Sequence, residues 1–83
     1  MLEYYKFYFS YQVDNLLGIC YQKLSYYTIA CYYYHKSLDY DENITVLQNL
    51  VVIYKKLKNY EMLEKIYTKI KIVDPNNKVL RHS

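Results

Sequence analysis

Few residues in this chain could make bonds or hold a metal: His35 and His82, Cys20 and Cys31, and the acidic run Asp39, Asp41 and Glu42. A zinc site needs several such ligands converging at short spacings. His35 stands in a helical pattern beside Lys36, without a set of Cys or acidic residues to complete a site, and is expected on the surface. Cys20 or Cys31 could be paired with His35 as nucleophile and base. Both thiols, however, lie in apolar helical stretches, an environment that keeps a thiol inert. The acidic run lacks the Gly-bearing loop of a calcium site and reads as a solvated turn. With a single Gly in the chain, there is no glycine-rich phosphate loop. The sequence therefore points away from an enzyme: no catalytic residue, no metal and no cofactor is expected.

The elements around these residues are helical. At 83 residues there is room for one small domain. A chain this short buries only about 60% of its unfolded surface, so its stability is expected to be marginal. The apolar content of 53% is too high for a disordered chain, and one Gly and one Pro favour long helices over a turn-rich β fold. Fourteen Tyr suit half-buried seams and interfaces, where the ring packs and the hydroxyl stays satisfied. Tyr-favouring codon usage would produce the same excess. Charge is split along the chain. Residues 1–43 hold three Lys against five acidic residues, a net of −2; residues 44–83 hold eight basic against three acidic, a net of +5. Such a split can steer partners or pair copies of the chain, although a solvated basic face would look the same. The two cysteines form no Cys-x-x-Cys and are expected as free, buried thiols in a reducing, cytoplasmic setting. Glu3 and Lys6 interrupt the aromatic first ten residues, so no signal peptide is read there. No apolar run approaches the length of a membrane span.

Shifted by 33 positions, the chain meets itself. Leu17 falls on Leu50, Tyr21 on Tyr54, Lys23-Leu24 on Lys56-Leu57, Tyr27 on Tyr60, Tyr34 on Tyr67, Lys36 on Lys69, Asp41 on Asp74 and Asn43 on Asn76. A repeat of this period signals stacked supersecondary units. Each copy has helical spacing. Asp14, Leu17, Gly18, Tyr21 and Leu24 form one face of a first helix, matched by Leu47, Leu50, Val51, Tyr54 and Leu57. Second helices follow through Tyr27, Ala30, Tyr34 and Leu38, and through Tyr60, Leu63, Tyr67 and Ile70. Ser25, Asn43 and Asn59 are placed to cap helix N-termini, and Pro75 ends the last helix.

These residues resemble the tetratricopeptide repeat. The first copy matches that family through Leu17-Gly18, Tyr21, Tyr27, Ala30 and Tyr34, the second through Leu47, Leu50, Tyr54, Tyr60, Tyr67 and Pro75. Ser25 and Lys58 stand where the family's turn carries Gly, Asp14 where it carries a bulky residue, Leu63 where it carries Ala, and Glu42 where it carries the closing Pro. The resemblance implies an all-α fold of antiparallel helical hairpins stacked as a short α-solenoid. Residues 1–10 would be an N-terminal helical segment, 11–43 the first repeat, 44–76 the second and 77–83 a tail. It further implies a concave groove that holds a peptide, lined by Gln12, Asn15, Ile19, Gln22 and Lys23 from the first copy and Thr45, Gln48, Val52, Lys55 and Lys56 from the second. Asn15 and Gln48 would hold a peptide backbone, and Lys23, Lys55 and Lys56 would attract carboxylates. The carboxylate clamp of some family members is not matched, because Gln12 and Ile19 replace its Lys and second Asn.

The ends carry the remaining expectations. Leu2, Tyr5 and Phe9 share a helical face, in a segment that aligns with the closing half of a preceding second helix and can run on into the next one. Asn76 could cap a further short helix over 77–81. Two units without a capping helix should leave Ile66, Ile70 and Val73 on an open apolar side, to be covered by another copy, a larger assembly or further sequence. Tyr4, Tyr5, Tyr8, Tyr26, Tyr32, Tyr33 and Tyr40 lie outside the repeat's packing positions and suit an interface. The expected role is a protein-interaction module or scaffold, with a structural subunit of a large complex as the alternative. An RNA-binding repeat is disfavoured, because the tyrosines and lysines are concentrated in opposite halves.

Overall fold

The computed structural model describes the backbone of residues 2–81 and the side chains of residues 13–81. Among the described residues the chain is all-α: four α-helices, a closing 3₁₀ turn and no strand. It divides into two compact units, residues 1–41 and 42–83.

The first unit is a helical hairpin. Helix α1 spans Leu2–Lys23 and α2 spans Tyr27–Leu38. The helical segment expected at the N-terminus runs on into the first helix, since α1 passes through Ser10 and Tyr11 unbroken. Nothing there lacks a backbone N–H or exposes the backbone as Pro or Gly would. The face expected for Leu2, Tyr5 and Phe9 lies outside the described side chains. The hairpin closes on Gly18. A Cβ there would stand 2.6 Å from two ring atoms of Tyr34, so only Gly lets the aromatic ring lie flat on α1. Ala30 and Tyr34 are fully buried, with Cys31 and Leu38 close behind. The Tyr34 hydroxyl donates to Gln22 Oε1 at 2.6 Å. This satisfies the one polar atom that a buried tyrosine brings with it. Asp14, which stands where the resembled repeat carries a bulky residue, is also buried.

The second unit is a hairpin with a tail. Helix α3 spans Ile44–Leu57, α4 spans Tyr60–Val73, and the 3₁₀ turn covers Lys78–Arg81. Asn43 caps α3, its side chain accepting from the Thr45 and Val46 amides, and Asn59 caps α4 by accepting from Met62. Both caps are those expected. Pro75 ends α4 as expected, with Asp74 out of the helical region at φ −147° and ψ 79°. Val46, Leu47, Leu50, Val51, Ile53 and Tyr54 are buried on α3, and Leu63, Ile66 and Ile70 on α4.

The two hairpin turns are the same turn. Among the described residues, Ser25 and Lys58 are the non-glycine residues at positive φ, 66° and 56°. The Ser25 amide donates to the Gln22 carbonyl and Tyr26 to Tyr21; 33 residues on, Lys58 donates to Lys55 and Asn59 to Tyr54. This paired pattern closes a helix with one left-handed residue. The sequence repeat is thus a repeat of backbone geometry.

Several expectations need correction. Ser25 does not cap α2: it is the left-handed residue, at φ 66°, that closes α1. Tyr26 holds the cap position, with no side-chain hydrogen bond. Ile66 and Ile70 do not form an open apolar side, because both are buried in full. The polar residues of α4 take the outward face instead, leaving only Ile72 and Val73 exposed near its end. Leu24, Leu57 and Tyr60 do not join the cores; they sit at the hairpin turns, where the left-handed residues turn the chain away, and are exposed. Asn77 rather than Asn76 caps the tail, accepting from the Val79 amide at 2.9 Å.

Candidate protein-interaction surface

On α3 the buried residues occupy one side, and the opposite side carries Thr45, Val52, Lys55 and Lys56 exposed, with Gln48 half-buried. These five are the residues expected to line a groove from the second copy. Steps of three and four residues place them along one strip. On α1, Asn15, Ile19 and Gln22 are half-buried and Lys23 is exposed. Gln12 is in α1, but its side chain lies outside the described residues. No acidic residue lies among the candidates of either strip, so each carries only positive charge: Lys23 on α1, Lys55 and Lys56 on α3.

Two glutamines are oriented by neighbours within their own units. Gln22 Oε1 accepts the Tyr34 hydroxyl, which leaves the Gln22 amide nitrogen to donate elsewhere. Gln48 donates from Nε2 to Asn77 Oδ1 at 3.2 Å, which leaves its Oε1 to accept. Asn77 is buried and also donates from Nδ2 to Asp74 Oδ2 at 3.0 Å. It therefore ties the tail to the α3 strip. Nothing in the single-residue pattern marked Asn77 for this role. A signal was present, however: Val79-Leu80 repeats Val46-Leu47 at the same offset of 33 and extends the repeat into the tail.

The residues weighed for chemistry remain scattered. No group of three or more His, Cys, Asp and Glu among the described residues could hold a metal. Both cysteines are free. Cys31 is buried as expected, but Cys20 is exposed, because its position on α1 faces away from Gly18 and Tyr34. His35 is half-buried rather than on the open surface, and His82 lies outside the described residues. Asp39, Asp41 and Glu42 form an exposed turn. No helix among the described residues is long and apolar enough to cross a membrane.

Tyrosines gather on the first unit. Tyr21 and Tyr33 stack with ring centroids 5.7 Å apart and planes 4° from parallel. Tyr32 meets Tyr33 edge-on at 5.1 Å, and Tyr26 lies 6.2 Å from Tyr21. The Lys36 ammonium sits 5.4 Å above the Tyr32 ring. Of the surplus tyrosines, Tyr26, Tyr32 and Tyr40 are exposed and Tyr33 is half-buried, while the side chains of Tyr4, Tyr5 and Tyr8 are outside the described residues.

No family model matches the chain, and no solved structure matches it. It is similar to the uncharacterized protein ycf37 of Guillardia theta, with 35% identity over 65 residues, covering 77% of this chain and 36% of that relative. The chain thus spans about a third of the relative's length.

Proposed function

We propose that this chain is a non-catalytic protein-interaction module, in which two tetratricopeptide-like hairpins stack as a short α-solenoid and their first helices hold a peptide. The observation that carries this reading is the duplicated turn. Equivalent left-handed residues and equivalent amide–carbonyl pairs close α1 and α3, as expected of two copies of one hairpin unit. In such arrays the first helices line the groove. Here they would offer Asn15, Ile19, Gln22 and Lys23 beside Thr45, Gln48, Val52, Lys55 and Lys56. Gln22 has a donor to spare and Gln48 an acceptor, the pair that a peptide backbone can use. Lys23, Lys55 and Lys56 select for carboxylates, so the ligand is a peptide with acidic side chains or a free C-terminus. Free thiols suit a reducing compartment such as the cytoplasm.

A structural role in a larger assembly is the second reading, and the exposed Tyr26, Tyr32 and Tyr40, on and beside α2, favour it. Selection from a random peptide display library separates the two. Acidic sequences should be enriched on the chain and lost on a Lys23→Glu, Lys55→Glu, Lys56→Glu variant. Selected peptides that bind both proteins equally would overturn the groove assignment.

A further inference from the structure

A run of hydrogen bonds in the second unit decides which atom of Gln48 faces outward. It is anchored at Asn77, which is buried. The Asn77 backbone amide donates to the Asp74 carbonyl at 3.0 Å, and its carbonyl accepts from the Leu80 amide at 3.1 Å. The polarity of its side chain is fixed twice. A backbone N–H can only donate, so the side-chain atom 2.9 Å from the Val79 nitrogen is the oxygen. An ionised carboxylate can only accept, so the atom 3.0 Å from Asp74 Oδ2 is the nitrogen. The Asn77 oxygen also stands 3.2 Å from the side-chain amide of Gln48, which can therefore meet it only with the Nε2 hydrogens. Gln48 Oε1 is left as an acceptor. It is reachable, because among the described residues Ser37 Oγ is the one buried side-chain nitrogen or oxygen without a partner.

We infer that Asn77, with Asp74 behind it, is a positioning pair that makes Gln48 a fixed acceptor on the α3 strip, so that the strip recognises a backbone N–H of its peptide there. The inference rests on the groove reading and adds the polarity of one contact to it. An unanchored glutamine turns its amide to suit either a donor or an acceptor. Gln48 cannot turn without setting its own oxygen against that of Asn77. Asn77 cannot turn in response, because its oxygen would then face the Asp74 carboxylate and its NH₂ group the Val79 amide. Each reversal leaves mismatched polar atoms at a part-buried site, which is destabilising. The ligand chemistry follows. A peptide residue with a free backbone N–H satisfies Gln48 Oε1, whereas a proline or N-methylated residue at the same place cannot. This contact is uncharged, so it selects for an amide hydrogen separately from the carboxylates that Lys55 and Lys56 attract.

The test uses an acidic peptide from display selection, remade with one backbone N-methyl group at a time. Titration calorimetry gives its affinity for the unaltered chain and for Gln48→Met, which keeps the side chain's length without its amide. One N-methyl position should weaken binding to the unaltered chain about tenfold, yet weaken binding to Gln48→Met no more than about twofold. Two further variants test the positioning. Asn77→Asp keeps an oxygen for Val79 and Gln48 but sets a second carboxylate against Asp74, and should weaken the unmodified peptide about fivefold. Exchanging the pair, Asp74→Asn with Asn77→Asp, puts a donor opposite an acceptor again and should restore affinity to within about twofold. A mere cap on the tail would not show this pattern, because aspartate caps as well as asparagine does. Circular dichroism checks that the variants keep their helices, and the exchanged pair and the N-methyl series stand if Asn77→Asp unfolds. A peptide that binds with no N-methyl position sensitive to Gln48 overturns this inference and leaves the groove reading in place. So does a folded Asn77→Asp chain that binds at full strength, or an exchanged pair that binds no better than Asn77→Asp. A library that yields no binder overturns both.

Discussion

Ser25 and Lys58 hold a left-handed backbone that costs an L-residue with a Cβ about 1–2 kcal/mol relative to the right-handed one. Glycine removes that strain but loses more freedom on folding, about 0.5–1 kcal/mol. Ser25→Gly and Lys58→Gly are therefore each expected to raise stability by up to about 1 kcal/mol, read as a higher urea midpoint. Gly18→Ala should do the reverse. The Tyr34 ring would have to move, at a cost of about 1–3 kcal/mol that the better helix propensity of Ala offsets only in part. Ser37 gives a third test. Its hydroxyl is buried with no hydrogen-bond partner among the described residues, so Ser37→Ala should stabilise by about 1 kcal/mol in the same titration. At this scale sequence reading reached Gly18, Ala30 and Tyr34, because small and aromatic residues at helical spacing imply close packing. It misassigned Ser25. A serine before a helix resembles a cap, and only the backbone angle shows that the preceding helix needs it as a left-handed stop.

Helices α3 and α4 begin at asparagines whose side chains accept amide hydrogens, whereas α2 begins at Tyr26 with no such bond. Asn43→Ala and Asn59→Ala should each cost about 1 kcal/mol, and hydrogen exchange should quicken first at Thr45–Val46 and at Met62. Asn77→Ala removes the acceptor shared by Gln48 and Val79. It should free the 3₁₀ turn, seen as lost exchange protection at Val79 while α3 keeps its own. Helix positions and stops were legible, since apolar spacing, Asn caps and Pro75 are local signals. The outward direction of α4 was not. Ile66, Ile70 and Val73 were grouped as one open side, yet the alternating Lys and Glu of that helix claim the solvent face and send Ile66 and Ile70 inward. The continuity of α1 through residue 10 was left open for a related reason: no residue there forces a break or forbids one.

For the molecule as a whole, the two units are unequally charged, and the candidate strips carry only lysines as charged residues. The period of 33 residues was visible at once, and the repeated turn gives it a physical basis. What residue spacing could not supply was the orientation of Gln22 and Gln48, because each is set by a partner 12 and 29 residues away. The account's central claim is that a peptide lies along the first helices. The direct measurement is a backbone amide NMR titration of the whole chain with an acidic peptide taken from display selection. Shifts should concentrate at Asn15, Ile19, Gln22 and Lys23 on α1 and at Thr45, Gln48, Val52, Lys55 and Lys56 on α3. A saturating titration whose shifts fall on α2 and α4 instead, leaving those nine amides unmoved, would contradict it.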